Sequence, residues 1–284
     1  MPPKLACHGQ QLTICKDRFM SLELSGATRV HIIVGDPIAQ VKSPAGVTQA
    51  FAQAGQDAVC IPAHVRPADL AAWFDGVRRA QNVDGIIVTV PHKFAAYALC
   101  DSATERAQFL GAVNVMRRHA DGRWHGDMCD GEGYVQALRQ AGAELAGRRA
   151  LLVGAGGAGS AIAHALLCAG LAVLVVHDPD AARRQSLLNR LAALGLAQVQ
   201  AGDGDPRGFD LVINATPVGM QAGDPLPVDG RLLQAEQWVG CVITAPAVPP
   251  LIAAARALGC PTVTGADMFA CVRECMMDFL LERA

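Results

Sequence analysis

Short apolar runs alternate with amphipathic stretches from residue 28 onward, the rhythm of strands feeding helices. Residues 29–34 read as a strand and Gly35-Asp36-Pro37 as a turn. Ser43-Pro44 opens a helix, with Ser43 as N-cap and Pro44 at the first helical position. Residues 57–61 form a second strand and 67–79 an amphipathic helix. Residues 83–90 are so uniformly apolar that they belong at the centre of a sheet. Pro91 starts another helix, and residues 113–117 and 123–126 flank Ala120-Asp121-Gly122, a hairpin signal.

The second half repeats the alternation. A helix at 131–141 leads to a strand at 150–153, then to Gly154-Ala155-Gly156-Gly157-Ala158-Gly159 and an Ala/Leu-rich helix to about residue 170. Strands follow at 171–176, 197–200, 210–214, 238–243 and 262–264, with a helix at 181–193 and a closing amphipathic helix at 268–281. In the glycine turn, Gly154 permits the tight bend, Gly156 lets backbone approach a pyrophosphate, and Gly159 lets helix and strand pack closely. The helix start offers free N–H groups and a positive dipole to phosphates. Asp178, after the next strand, stands where a dinucleotide fold places the acid for ribose hydroxyls, roughly 20 residues on. A Rossmann unit is therefore expected, within an α/β fold.

Length and composition narrow the partners. A chain of 284 residues, 51% of them apolar, can bury two cores. A net charge of −2 gives no basic field for nucleic acid, and charges interrupt every apolar run before it could span a bilayer. The ten cysteines show no Cys-x-x-Cys pair and no zinc-like spacing with histidine, so no metal is expected and a reducing cytoplasm is. Cys271 and Cys275 share a helix face and read as two buried thiols. Residues 1–26 read as a loose extension without the apolar core of a secretory signal.

Several motifs now join into one resemblance. Gly35-Asp36-Pro37-Ile38 with Lys42-Ser43-Pro44, Val88-Thr89-Val90-Pro91-His92-Lys93, Gly111-Ala112-Val113-Asn114, Gly126-Asp127 with Asp130-Gly131, and Asn214-Ala215-Thr216-Pro217 with Gly219-Met220 follow one another in register. In that order they resemble the shikimate dehydrogenase family. The resemblance implies two domains with the active site in the cleft between them. One is an N-terminal α/β substrate-binding domain, residues 27–126, completed by the C-terminal helix, 265–284. The other is a Rossmann NAD(P)-binding domain, 127–264.

Alcohol oxidation by hydride transfer needs a base for the hydroxyl proton, and the reverse reaction needs an acid. Lys93, on the first turn of a helix after a buried strand, suits that task. Burial and the helix start both disfavour its charge, and a carboxylate restores it. The resemblance puts Asp130 beside it as orienting partner. It further implies Ser43 for a substrate carboxylate, Thr89 and Asn114 for substrate hydroxyls, and Gly154, Ala155, Gly156, Gly157, Ala158, Gly159, Asp178, Asn214, Thr216 and Pro217 for the cofactor. His92 reads as a surface residue.

The departures bear on substrate. Val41 stands where the family has its first carboxylate-binding serine, Ile87 where it has an asparagine, Thr244 a tyrosine and Val272 a glutamine. Each lost hydrogen bond to a polar substrate costs about 1–3 kcal/mol if the group stays unpaired. The expectation is an enzyme with intact proton-transfer residues and a more apolar pocket, poor with shikimate and better with a related cyclic hydroxy acid. Asp178-Pro179-Asp180 replaces the family's NADP-gripping Asn-Arg-Thr, which favours NAD over NADP; Arg183 and Arg184 lie a turn later. Rival readings are an NAD-dependent quinate/shikimate dehydrogenase of catabolism and a non-catalytic sensor of nucleotide and ring acid. A monomer or homodimer is expected.

Overall fold

The computed structural model describes residues 24–282. The expected extension, apart from its last residues 24–26, lies outside the described residues. Two six-stranded sheets organise the chain. The first contains β1 (Arg29–Gly35), β2 (Ala58–His64), β3 (Val83–Val88), β4 (Ser102–Ala103), β5 (Val115–Arg118) and β6 (Trp124–Asp127). Their order is β2-β1-β3-β5-β6-β4. β1, β2 and β3 are parallel, while β5 pairs antiparallel with β3 and β6 antiparallel with β5. Parallel neighbours need crossovers, supplied by α1 (Ser43–Gln53) and α2 (Leu70–Val77). The short helices α3 (Lys93–Tyr97) and α4 (Glu105–Leu110) follow, and α5 (Asp130–Gln140) leaves the sheet.

The second sheet is wholly parallel: β7 (Arg149–Val153), β8 (Val173–His177), β9 (Gln198–Ala201), β10 (Leu211–Asn214), β11 (Trp238–Cys241) and β12 (Thr262–Val263). Helices α6 (Gly157–Cys168), α7 (Ala181–Ala192) and α8 (Pro250–Ala257) connect them, and α9 (Gly265–Leu280) closes the chain. The order β12-β11-β10-β7-β8-β9 reverses direction at β7, so a crevice opens beyond its carboxyl end, where such sheets take ligands.

Strand periodicity decides which residues reach the cleft. On β3, Ile86 and Val88 pack with Phe74 and Trp124 on one face, while Ile87 turns to the face covered by α1 and α9. Two glycines then pin α5. A Cβ at Gly131 would lie 2.1 Å from the Ala161 carbonyl oxygen of α6, and one at Gly133 2.6 Å from the Val272 nitrogen of α9. Helix-interior glycine costs roughly 1 kcal/mol against alanine. Here it lets α5 wedge between both neighbours, which fixes Asp130 at its start.

Two helices lie outside the sequence expectations. α4 is only six residues, too short for a helical period, yet Thr104 caps it and Gly111 closes it at φ 62°. α8 starts behind a Pro249-Pro250 pair that reads as loop. One cap is also corrected. Lys42, not Ser43, precedes α1, and Ser43 is already helical and makes no capping bond.

Candidate active site

The carboxyl ends of β1 and β3 and the starts of α1, α3, α5 and α9 converge on a cavity of about 240 Å³. Lys93 enters from α3, which begins just after β3, and its side chain is only 13% exposed. Its Nζ donates to Asp130 Oδ2, and Asp130 Oδ1 accepts from Asn114 Nδ2 at 2.6 Å. Asn114 is committed at its other end too, accepting the Cys129 N–H at 2.8 Å. Burial pushes the Cys129 thiol well up, so it stays protonated beside the pair.

The other residues expected to touch substrate, Ser43, Thr89, Val41, Ile87, Thr244 and Val272, all line the same cavity. Ser43 is 5% exposed. Its hydroxyl and that of Thr89 make no hydrogen bond within the protein among the described residues. Sequence reasoning missed Met268, Phe269 and Met276, which complete the wall on the α9 side. Their three- and four-residue spacing with Val272 was the available signal.

His92 is corrected: it is buried, 1% exposed, and its Nε2 lies 2.7 Å from the Val65 carbonyl oxygen. It ties the start of α3 to the segment after β2 and so steadies Lys93. Asp127, three residues before Asp130, is equally buried but fully occupied. Arg106 grips it through both oxygens, Nε at 2.7 Å, and Thr104 Oγ1 and the Met128 N–H also donate. Burial pushes its pKa up, and these donors pull it back below the usual carboxylate range.

The glycine turn fits a dinucleotide. Gly154 sits at φ 104°, a Cβ at Gly159 would lie 2.0 Å from the Gly154 oxygen, and nothing crowds Gly156. No side chain caps α6, so its first N–H groups are free for phosphate. A Cβ on Gly157 would come 3.2 Å from Lys93 Cδ, so the lysine stem rests against this turn. Asn214 and Thr216 brace the loop after β10, the Asn214 Oδ1 accepting the Thr216 N–H at 3.0 Å and its hydroxyl at 2.6 Å.

Asp178 does something beyond the sequence expectation. Oδ2 accepts the Ala155 N–H at 2.7 Å and Arg183 Nε at 3.1 Å, while Oδ1 accepts the Asp180 N–H at 2.9 Å and Arg183 Nη2 at 2.8 Å. Both oxygens are saturated. Burial alone would raise its pKa, and Arg183 with the two backbone donors lowers it instead. Asp178 therefore braces the glycine turn, and a ribose hydroxyl would have to share or displace Arg183.

A larger cavity of about 630 Å³ opens at the opposite, amino end of the first sheet. Its arginines are engaged: Arg29 with Asp84 and the Gln81 carbonyl, Arg117 with Phe279, and Arg118 with Ala80. Among the described residues no helix is long and apolar enough to cross a membrane, and no metal-ligand cluster forms.

Residues 33–116 match the family described as shikimate dehydrogenase substrate binding domain. A shikimate dehydrogenase (NADP(+)) of Rubrobacter xylanophilus is 38% identical over 85% of this chain and 87% of its own. A quinate/shikimate dehydrogenase (NAD(+)) of Corynebacterium efficiens is 33% identical over 83% and 87%. Among solved structures, shikimate 5-dehydrogenase of Listeria monocytogenes, in complex with shikimate and NAD, superposes with a TM-score of 0.82 at 26% identity, covering 92% of this chain and 94% of that one.

Proposed function

This chain belongs to the shikimate dehydrogenase family and is an NAD(P)-dependent oxidoreductase of that type, and on this premise we propose residue roles, cofactor preference and substrate. Lys93 and Asp130 are the proton-transfer pair. The observation that carries this is the position of Lys93, its stem against Gly157 and its ammonium on Asp130 inside the cavity. Bound NAD(P) supplies the hydride acceptor or donor, and the turn from Gly154 to Gly159 with Asn214, Thr216 and Pro217 would hold it.

In ketone reduction the Lys93 ammonium gives a proton to the oxygen that is becoming an alkoxide. In oxidation the pair, having lost one proton, takes the hydroxyl hydrogen. Asp130 keeps Lys93 aimed, and Asn114 keeps Asp130 aimed. Thr89 and Ser43 offer hydroxyls to the substrate. A sensor needs no such pair, which favours the enzyme over a binding protein.

NAD is the preferred cofactor. A 2′-phosphate would lie against the Asp178 carboxylate, and drawing Arg183 onto the phosphate would leave that buried carboxylate without its countercharge, held only by the Ala155 and Asp180 N–H groups. The Rubrobacter relative is named for NADP and the Corynebacterium relative for NAD, so both cofactors occur among similar chains. The described cysteines are free, which supports a reducing cytoplasm. The test is nicotinamide absorbance with NAD+ and NADP+ over a panel of cyclic hydroxy acids. Expected are turnover with NAD+ at least tenfold more efficient than with NADP+, and shikimate as a weak substrate. A clear NADP+ preference would overturn the cofactor reading, and ordinary family efficiency with shikimate would overturn the pocket reading.

A further inference from the structure

The cavity is lined by a polar set, Ser43, Thr89, Lys93 and Asp130, and by a hydrocarbon wall, Val41, Ile87, Met268, Val272 and Met276, whose members belong to one apolar cluster. Of the two amides, Asn114 is held by Cys129 and Asp130 and Gln40 by the Pro37 carbonyl, while Thr244 comes in from the loop after β11 of the second sheet. The other polar groups open to the cavity fall into two sets. One is the buried Ser43 hydroxyl at the uncapped start of the eleven-residue α1, next to the exposed Lys42. The other is the Thr89 hydroxyl with the Lys93–Asp130 pair.

From this division we propose that the substrate is an alicyclic carboxylic acid with a single ring hydroxyl, the one that reacts, and hydrocarbon at its other ring positions. The inference rests on the dehydrogenase reading above and narrows it to a substrate class. The carboxylate meets Ser43, the free N–H groups of α1 and Lys42. The hydroxyl meets Thr89 and the Lys93–Asp130 pair, and the remaining ring carbons lie on Val272, Ile87 and the two methionines. On oxidation the carbinol C–H bond breaks and its hydride goes to the nicotinamide. The O–H proton goes to the deprotonated pair, and the C=O bond forms. Each extra ring hydroxyl would be stripped of water against this wall without a partner. That lowers affinity about five- to 150-fold per hydroxyl.

The experiment compares shikimate, cis-3-hydroxycyclohexane-1-carboxylate and cyclohexanol as substrates of the full chain with NAD+, followed at the nicotinamide band. Expected is a kcat/KM for the monohydroxy acid at least tenfold above that for shikimate, with cyclohexanol lower again for want of a carboxylate. Equal or better turnover of shikimate overturns the substrate class and leaves the dehydrogenase intact. No turnover of any of the three, with nucleotide still bound, overturns both. A Val272→Gln variant, at a buried position that lines the cavity and also packs on Gly133 of α5, is first checked for native Tm and nucleotide binding and should then shift the ratio toward shikimate by about tenfold. A ratio that does not move contradicts the role given to this wall.

Discussion

The two ends of the first sheet carry similar polar groups that meet different fates. At the amino end, around the cavity of about 630 Å³, Arg29, Arg117 and Arg118 are each held by an acid or a backbone carbonyl. At the carboxyl end, around a cavity of about 240 Å³, Lys93, Asp130, Ser43 and Thr89 keep faces turned to open space. Size and charge would choose the first; availability chooses the second. The carboxyl end is also where parallel strands release their loops and where helix starts converge. The amino-end arginines are committed to fixed partners, whereas the Lys93–Asp130 pair lines an open cavity, as the proton-transfer role proposed for it requires.

The largest effect is expected at Lys93. Replacing it with alanine should lower kcat by about 10²–10⁴, while nucleotide binding, measured by titration, stays within about twofold. Asn114 still bonds Asp130, so the fold is expected to hold.

The amino end should show itself in stability. His31 is stacked on Phe51 with ring centroids 4.2 Å apart, and burial, with Arg29 adding to it, pulls its pKa down to about 4. The unfolded chain binds this proton near pH 6.5 and the folded chain only near 4. Unfolding is therefore favoured progressively as pH falls through that window, by about 3 kcal/mol in all. Urea unfolding at pH 7 and pH 4.5 should show a stability loss that His31→Phe largely removes. An unchanged loss would contradict a buried neutral imidazole. Carboxylates such as Asp127 and Asp178, lowered in the folded state, add their losses only at more acid pH.

Gly133→Ala connects the two kinds of effect. Its methyl meets Val272 backbone at 2.6 Å, so α5 must shift from α9. Expected are a destabilisation of about 1–3 kcal/mol, seen in Tm, and a fall in kcat as Asp130 moves. The smallest effect belongs to Arg29→Ala. Its pair with Asp84 is more than a third exposed on both sides, so the loss should stay below about 1 kcal/mol with kcat unchanged.

Much of this division is legible in the chain itself. The apolar run of β3, the Gly154–Gly159 turn and the Lys93 motif carry periodicity or spacing that local chemistry imposes. The substitutions Val41, Ile87, Thr244 and Val272 were recognisable as wall residues because the family's order fixes where they fall. What stayed hidden depends on contacts between distant segments. His92 looks like a surface residue until Val65 is seen beside it. Asp178 reads as a ribose acid, and its bonds to the Ala155 N–H and Arg183 come to light only in the fold. Gly131 and Gly133 look like poor helix residues, and only the crossing of α5 with α6 and α9 explains them.

The account depends on Lys93 and Asp130 acting as one unit, and a double-mutant cycle addresses that directly. kcat would be measured for Lys93→Ala, Asp130→Asn and the pair together, each checked for nucleotide binding. The account predicts that the double variant loses about as much as Lys93→Ala alone, because either change disables the same proton transfer. Losses that multiply, or a single variant that turns over at the native rate, would contradict it.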